Sequence, residues 1–70
     1  MNERQKQALT GMLLDKYGDA INLRGIIISP AVGDPPQGKI YFNVIDSRHP
    51  DFGKQTKTYS IDAQGNVGLT

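Results

Sequence analysis

The side chains with most chemistry to offer lie in one short stretch, Asp46-Ser47-Arg48-His49-Pro50-Asp51, which holds the only histidine of the chain between two aspartates. Asp46-x-x-His49-x-Asp51 offers the nitrogen and oxygen donors that zinc or a harder cation takes. Such a site needs three or four donors converging in one geometry, and a polar loop around Pro50 gives no sign of that. The stretch therefore reads as an ordinary polar turn; the alternative is a small-ligand or metal-binding domain, or a minor enzyme, centred on residues 46–51. Ser47, His49 and Asp46 are the residue types of a hydrolytic triad. They stand too close together in one loop to form its chain of hydrogen bonds beside an oxyanion hole and a substrate cleft. Asp51-Phe52-Gly53 spells the magnesium-binding tripeptide of kinases, but this chain has no room for the two lobes that give it meaning. Gly33 and Gly38 flank prolines rather than opening a helix, so they form no phosphate cradle. No catalytic residue, metal or cofactor is assigned.

Seventy residues make a single domain, 1–70, near the lower limit for one hydrophobic core without staples. There is no cysteine, which excludes disulfides and thiolate metal sites. Eight Lys/Arg against seven Asp/Glu leave a net charge of +1, with the two signs interspersed rather than gathered in a basic stripe. No nucleic-acid partner is expected on that ground. The longest isoleucine run, Ile26 to Ile28, is far too short to span a bilayer, and the N-terminus lacks the apolar core of a signal peptide. No membrane partner is expected, and the chain reads as soluble and cytoplasmic by default, its compartment otherwise open.

The elements that position these residues follow from pattern. Asn2 to Tyr17 reads as a helix, with Asn2 and Gln5 in capping-box spacing and Gly18 as terminator. Leu9, Met12, Leu13 and Tyr17 form its apolar stripe, with Ala8 beside it. Gly11 interrupts the helix, for which either a close approach to the sheet or neutral drift would account. A first strand is expected from Leu23 to Ser29, with isoleucines toward both faces, and Pro30 ends it. Pro30 to Gly38, with three prolines and two glycines, is a stiff hairpin connection. Gly38 to Asp46 is the central strand: Ile40, Phe42 and Val44 point to the core and Tyr41, Asn43 and Ile45 away from it. Ser47 to Lys54 is a second loop, and Gln55 to Asp62 a third strand with Tyr59 and Ile61 facing inward. Asp62-Ala63-Gln64-Gly65 is a type I turn into a short fourth strand at Asn66 to Leu69. The expected fold class is α+β: one N-terminal helix packed across a three- to four-stranded antiparallel meander.

The helix end Asp15-Lys16-Tyr17-Gly18 and the closing Thr58-Tyr59-Ser60-Ile61-Asp62-Ala63-Gln64-Gly65-Asn66-Val67 resemble a PepSY domain, whose final strand often ends in an aspartate, a short turn, a glycine and a valine. That resemblance implies a non-catalytic inhibitory or regulatory role of the kind associated with protease propeptides. The long Pro30 to Gly38 loop departs from the family pattern. Ala31-Val32-Gly33 in the first hairpin loop is also similar to the Val-x-Gly loop of cystatin-type inhibitors, although the glutamine before that loop and the later tryptophan loop are missing.

The residues themselves point to a protein partner or to self-association. One sheet face suffices for the core of so small a domain, which leaves Ile27, Tyr41 and Ile45 to share the other as an apolar binding face. Val32, flanked by Ala31 and Gly33, would form the exposed tip of a wedge-like hairpin loop.

Overall fold

A computed structural model describes all of residues 1–70 and shows one N-terminal helix packed on a four-stranded antiparallel sheet, an α+β arrangement. Helix α1 runs from Glu3 to Tyr17 and begins on the capping box that its sequence specifies: the Asn2 side chain accepts from the Gln5 backbone N–H at 2.8 Å, and the Gln5 side chain accepts from the Asn2 N–H at 3.0 Å. Gly18 closes it with φ +59°, donating its N–H to the Leu14 carbonyl. Leu9, Leu13 and Tyr17 are buried, Met12 is half-buried and Ala8 is exposed. The reason expected for Gly11 is corrected here. A Cβ built at Gly11 meets nothing within 4 Å, so no close approach to the sheet requires the glycine. Gly11→Ala is accordingly expected to raise stability by about 0.5–1 kcal/mol, because it removes unfolded-chain freedom at no steric cost; urea denaturation measures the change.

The strands are β1 (Ile27–Ile28), β2 (Gln37–Val44), β3 (Gly53–Ile61) and β4 (Val67–Leu69), each hydrogen-bonded to the next in sequence. β2 and β3 pair along the whole of β2, from Gln37 opposite Ser60 to Val44 opposite Gly53. The Pro36 carbonyl extends this ladder by accepting from the Ile61 N–H at 3.0 Å.

The first strand departs from expectation. Leu23–Gly25 is a 3₁₀ turn, and only Ile27–Ile28 is regular strand. The cause is local: the Asn22 side chain accepts from the Arg24 N–H at 3.1 Å and the Asn22 carbonyl from the Gly25 N–H at 3.0 Å, which offers this backbone partners outside the sheet. Before that turn Ile21 bridges Val44, and the Ala20 carbonyl accepts from the Ile45 N–H. One edge of β2 is thus covered in pieces, and Ile21, expected in a connector, is buried in the core. Ile26 and Ile28 pack against the core while Ile27 lies in the open, so only one face of this segment is covered.

Nine residues form that core: Leu9, Leu13 and Tyr17 from α1, Ala20 and Ile21 after it, Ile40, Phe42 and Val44 from β2, and Tyr59 from β3. Tyr59 has no exposed surface. Its ring lies over Gly38, its partner across the ladder, and its hydroxyl donates to the Ser29 carbonyl. An aromatic covering a cross-strand glycine fills the space that the missing side chain leaves. The Asp62 turn forms as its residues dictate, with the Asp62 side chain accepting from the Gln64 and Asn66 N–H groups and Gly65 at φ +84°. No helix is long and apolar enough to cross a membrane.

Candidate functional site

Strand alternation and helix placement together leave one sheet face without a second layer. On it, Ile27 stands directly opposite Tyr41, and the two side chains are 65% and 43% exposed. They line a shallow depression of about 210 Å³ together with Asn43, Lys54 and Thr56, whose backbones pair across β2 and β3. Ile45, 57% exposed, lies beyond the end of β2 and does not line this depression. The structure therefore brings Ile27 and Tyr41 together and leaves Ile45 apart. Sequence reasoning passed over Phe52, which is as exposed as Ile45; the two residues directly follow and precede the last ladder pair, Val44 and Gly53. Its signal was an aromatic residue in an otherwise polar loop.

The hairpin loop is more ordered than its length suggests. Val32 and Gln37 exchange both backbone hydrogen bonds, at 2.8 and 2.9 Å, so the free tip is Gly33 to Pro36. Gly33 has φ +96°, a conformation that favours glycine. Ala31 packs against the core, which corrects its place as an exposed flank of the wedge, and Val32, 72% exposed, stands at the base of the tip rather than at its end. Below it, Ser29, Pro30, Gln37, Lys39 and Thr58 line a second depression of about 330 Å³, across which the Lys39 ammonium donates to the Thr58 hydroxyl at 2.9 Å.

The histidine loop spends its polar groups on itself. His49 Nδ1 accepts from the Asp51 N–H at 3.0 Å, Asp46 Oδ1 accepts from the Arg48 N–H and Nε–H, and the Asp51 carbonyl accepts from the Gln55 side chain at 2.7 Å. No three His, Asp or Glu side chains converge in a manner that could hold a metal ion. The loop is docked on the helix end by Tyr17, whose hydroxyl donates to Asp51 Oδ2 at 3.0 Å and whose ring packs at 5.4 Å from His49 and 5.2 Å from Phe42. These contacts account for Asp51 and His49 as structural members of the hairpin.

Burial, and then the hydrogen bond to Asp51, raise the Tyr17 hydroxyl above its ordinary value of 10.0; burial raises Tyr59 as well. The folded state thus holds these protons more tightly than the unfolded chain. Their contribution to stability is complete below about pH 10 and is lost as pH rises through the folded values. Thermal melts from pH 8 to 11.5 are expected to show an alkaline decline that Tyr17→Phe reduces.

A third depression, about 410 Å³, runs between the start of α1 and the β3–β4 turn and is lined by Asn2, Arg4, Gln5, Gln64 and Asn66 among others. Gln5 crosses it, its amide donating to the Gly65 carbonyl at 2.9 Å. Compared with known proteins, the chain matches no family model, no curated protein and no solved structure.

Proposed function

We propose that this chain is a small non-catalytic protein-binding module that engages a protein partner, or a second copy of itself, through the open sheet face, with the Val32 hairpin beside it. The observation that carries the proposal is the exposed Ile27–Tyr41 pair, across β1 and β2, on a sheet face that no second layer covers. The solvated face of an antiparallel sheet ordinarily alternates to polar residues. Here two large apolar side chains stand side by side, and burying each in an interface would contribute about 1.5–3 kcal/mol before the costs of association. The PepSY resemblance of Thr58 to Val67 adds an inhibitory or regulatory character to this reading.

The test is the double variant Ile27→Ser, Tyr41→Ser. Both positions are exposed, so its circular dichroism spectrum and melting should stay close to those of the unmodified protein. Self-association measured by light scattering, or affinity for a partner in a titration, should fall at least tenfold, roughly 1.4 kcal/mol. Unchanged association by a folded double variant would refute the proposal.

A further inference from the structure

β3 is longer than the strand that covers its outer edge. β4 pairs only with Tyr59 to Ile61, and Thr70 adds one bond by donating to the Thr58 carbonyl at 2.8 Å. Backbone groups in an antiparallel ladder alternate between the two neighbours. Since the Thr58 carbonyl is directed to β4, the N–H and C=O groups of Thr56 and Lys54 are directed to that same side, where no strand stands. Both residues are exposed. Between Gly53 and Lys57 the sheet therefore presents a short open edge with backbone donors and acceptors in register for another strand.

The edge is flanked by positive charge. Lys54 stands on its outer-face side. On the helix side Lys57, opposite Ile40 in the ladder, has Lys16 at the end of α1 as its neighbouring cation, each displacing the other from its ordinary value, Lys16 upward and Lys57 downward. Asp51 is the carboxylate whose charge acts on both, and it already accepts from the Tyr17 hydroxyl. The one ion pair in the protein, Arg48 with Asp46, uses neither lysine. Neighbouring lysines with no carboxylate bonded to either repel each other, and an anion beside them relieves that repulsion.

We infer that the open edge of β3 binds an extended acidic peptide segment of a partner protein by strand addition, with the Lys54 and Thr56 backbone pairing to the added strand and Lys57, Lys16 and Lys54 receiving its carboxylates. Main-chain bonds supply affinity in this mode and side-chain chemistry supplies selection. A second copy is the poorer occupant, because joining two such edges would crowd their lysines along one short ladder, and like charges across strands repel. The inference deepens the protein-binding proposal, on which it rests, by naming a partner chemistry; it uses the outward backbone of Lys54 and Thr56 rather than the apolar side chains of the face they adjoin, so the backbone amides and the charge of the peptide separate the two.

The probe is a capped octapeptide of alternating glutamate and valine, with a lysine–valine counterpart as control, titrated into the ¹⁵N-labelled protein at low salt. The glutamate peptide should shift the Lys54 and Thr56 amides saturably and slow their hydrogen exchange, and the lysine peptide should not. Lys57→Glu should weaken the binding at least tenfold. Thr56→Pro removes the outward N–H and should weaken it comparably, whereas Ile27→Ser, two strands away on β1, should leave it unchanged. Equal binding of both peptides, unshifted Lys54 and Thr56 amides, or shifts confined to the Ile27–Tyr41 face would overturn the inference. Should either edge variant fail to fold, the comparison of the two peptides on the unmodified protein decides it alone.

Discussion

Gly38→Ala is expected to destabilise the protein by about 3 kcal/mol, the sum of roughly 1–3 for overpacking and about 1 for a disturbed hydrogen bond. A Cβ at position 38 would lie 2.5 Å from both Cζ and the hydroxyl oxygen of Tyr59. The far end of a side chain can often swing away from such an intrusion. This one cannot do so cheaply, since the Tyr59 ring is wholly buried and its hydroxyl is held by the Ser29 carbonyl. For a domain of this size the loss corresponds to a fall in Tm of roughly 12–24 °C. The same displacement loosens the Ser29 segment, so the edge of β2 should show faster hydrogen exchange in the variant. Tyr59→Leu serves as the control: if the clash is with the ring, the double variant is less destabilised than the sum of the two single ones. Additive costs would place the effect of Gly38 somewhere other than this contact.

Leu13→Ala and Leu14→Ala form a second, paired expectation. Leu13 has no exposed surface and packs in the nine-residue core, whereas Leu14, its neighbour in sequence, is 37% exposed. Truncating a buried leucine costs about 2–5 kcal/mol through lost transfer energy and the cavity left behind. A domain of this length has about 4–10 kcal/mol in total. Leu13→Ala should therefore be largely unfolded near 37 °C or melt well below the unmodified protein, while Leu14→Ala should stay within about 1 kcal/mol of it. Chemical denaturation of the two variants measures the difference, and similar midpoints would mean that the helix presents a different face to the sheet.

The helix and the two long strands were legible in the sequence because each carries its own signal. Asn2 with Gln5 and Gly18 marks the helix limits, and alternation at Ile40, Phe42 and Val44 assigns the inner face of β2, as the burial of all three bears out. The segment from Ala20 to Ser29 was not. Three isoleucines in a row favour a strand, but the Asn22 side chain captures its own backbone two residues on, and that competition is decided by geometry no pattern of hydropathy expresses. Gly11 and Gly38 make the same point from opposite sides. The glycine in the helix invites a packing reason and has none, while Gly38, which the pattern places where loop meets central strand, proves to be the floor beneath Tyr59. For the candidate site, Ile27 and Tyr41 were found by alternation alone. Ala31 was misplaced because an alanine beside prolines looks like loop, and only tertiary contact shows it turned to the core.

Gln5 joins parts of the chain that lie 60 residues apart. Its carbonyl oxygen caps the first turn of α1 while its amide nitrogen holds the Gly65 carbonyl in the β3–β4 turn. Because a single side chain makes both bonds, fraying of the helix start also costs the turn its contact with the helix. The first turn of the helix and the last hairpin are thus coupled through Gln5, and Gln5→Ala should quicken amide exchange at both.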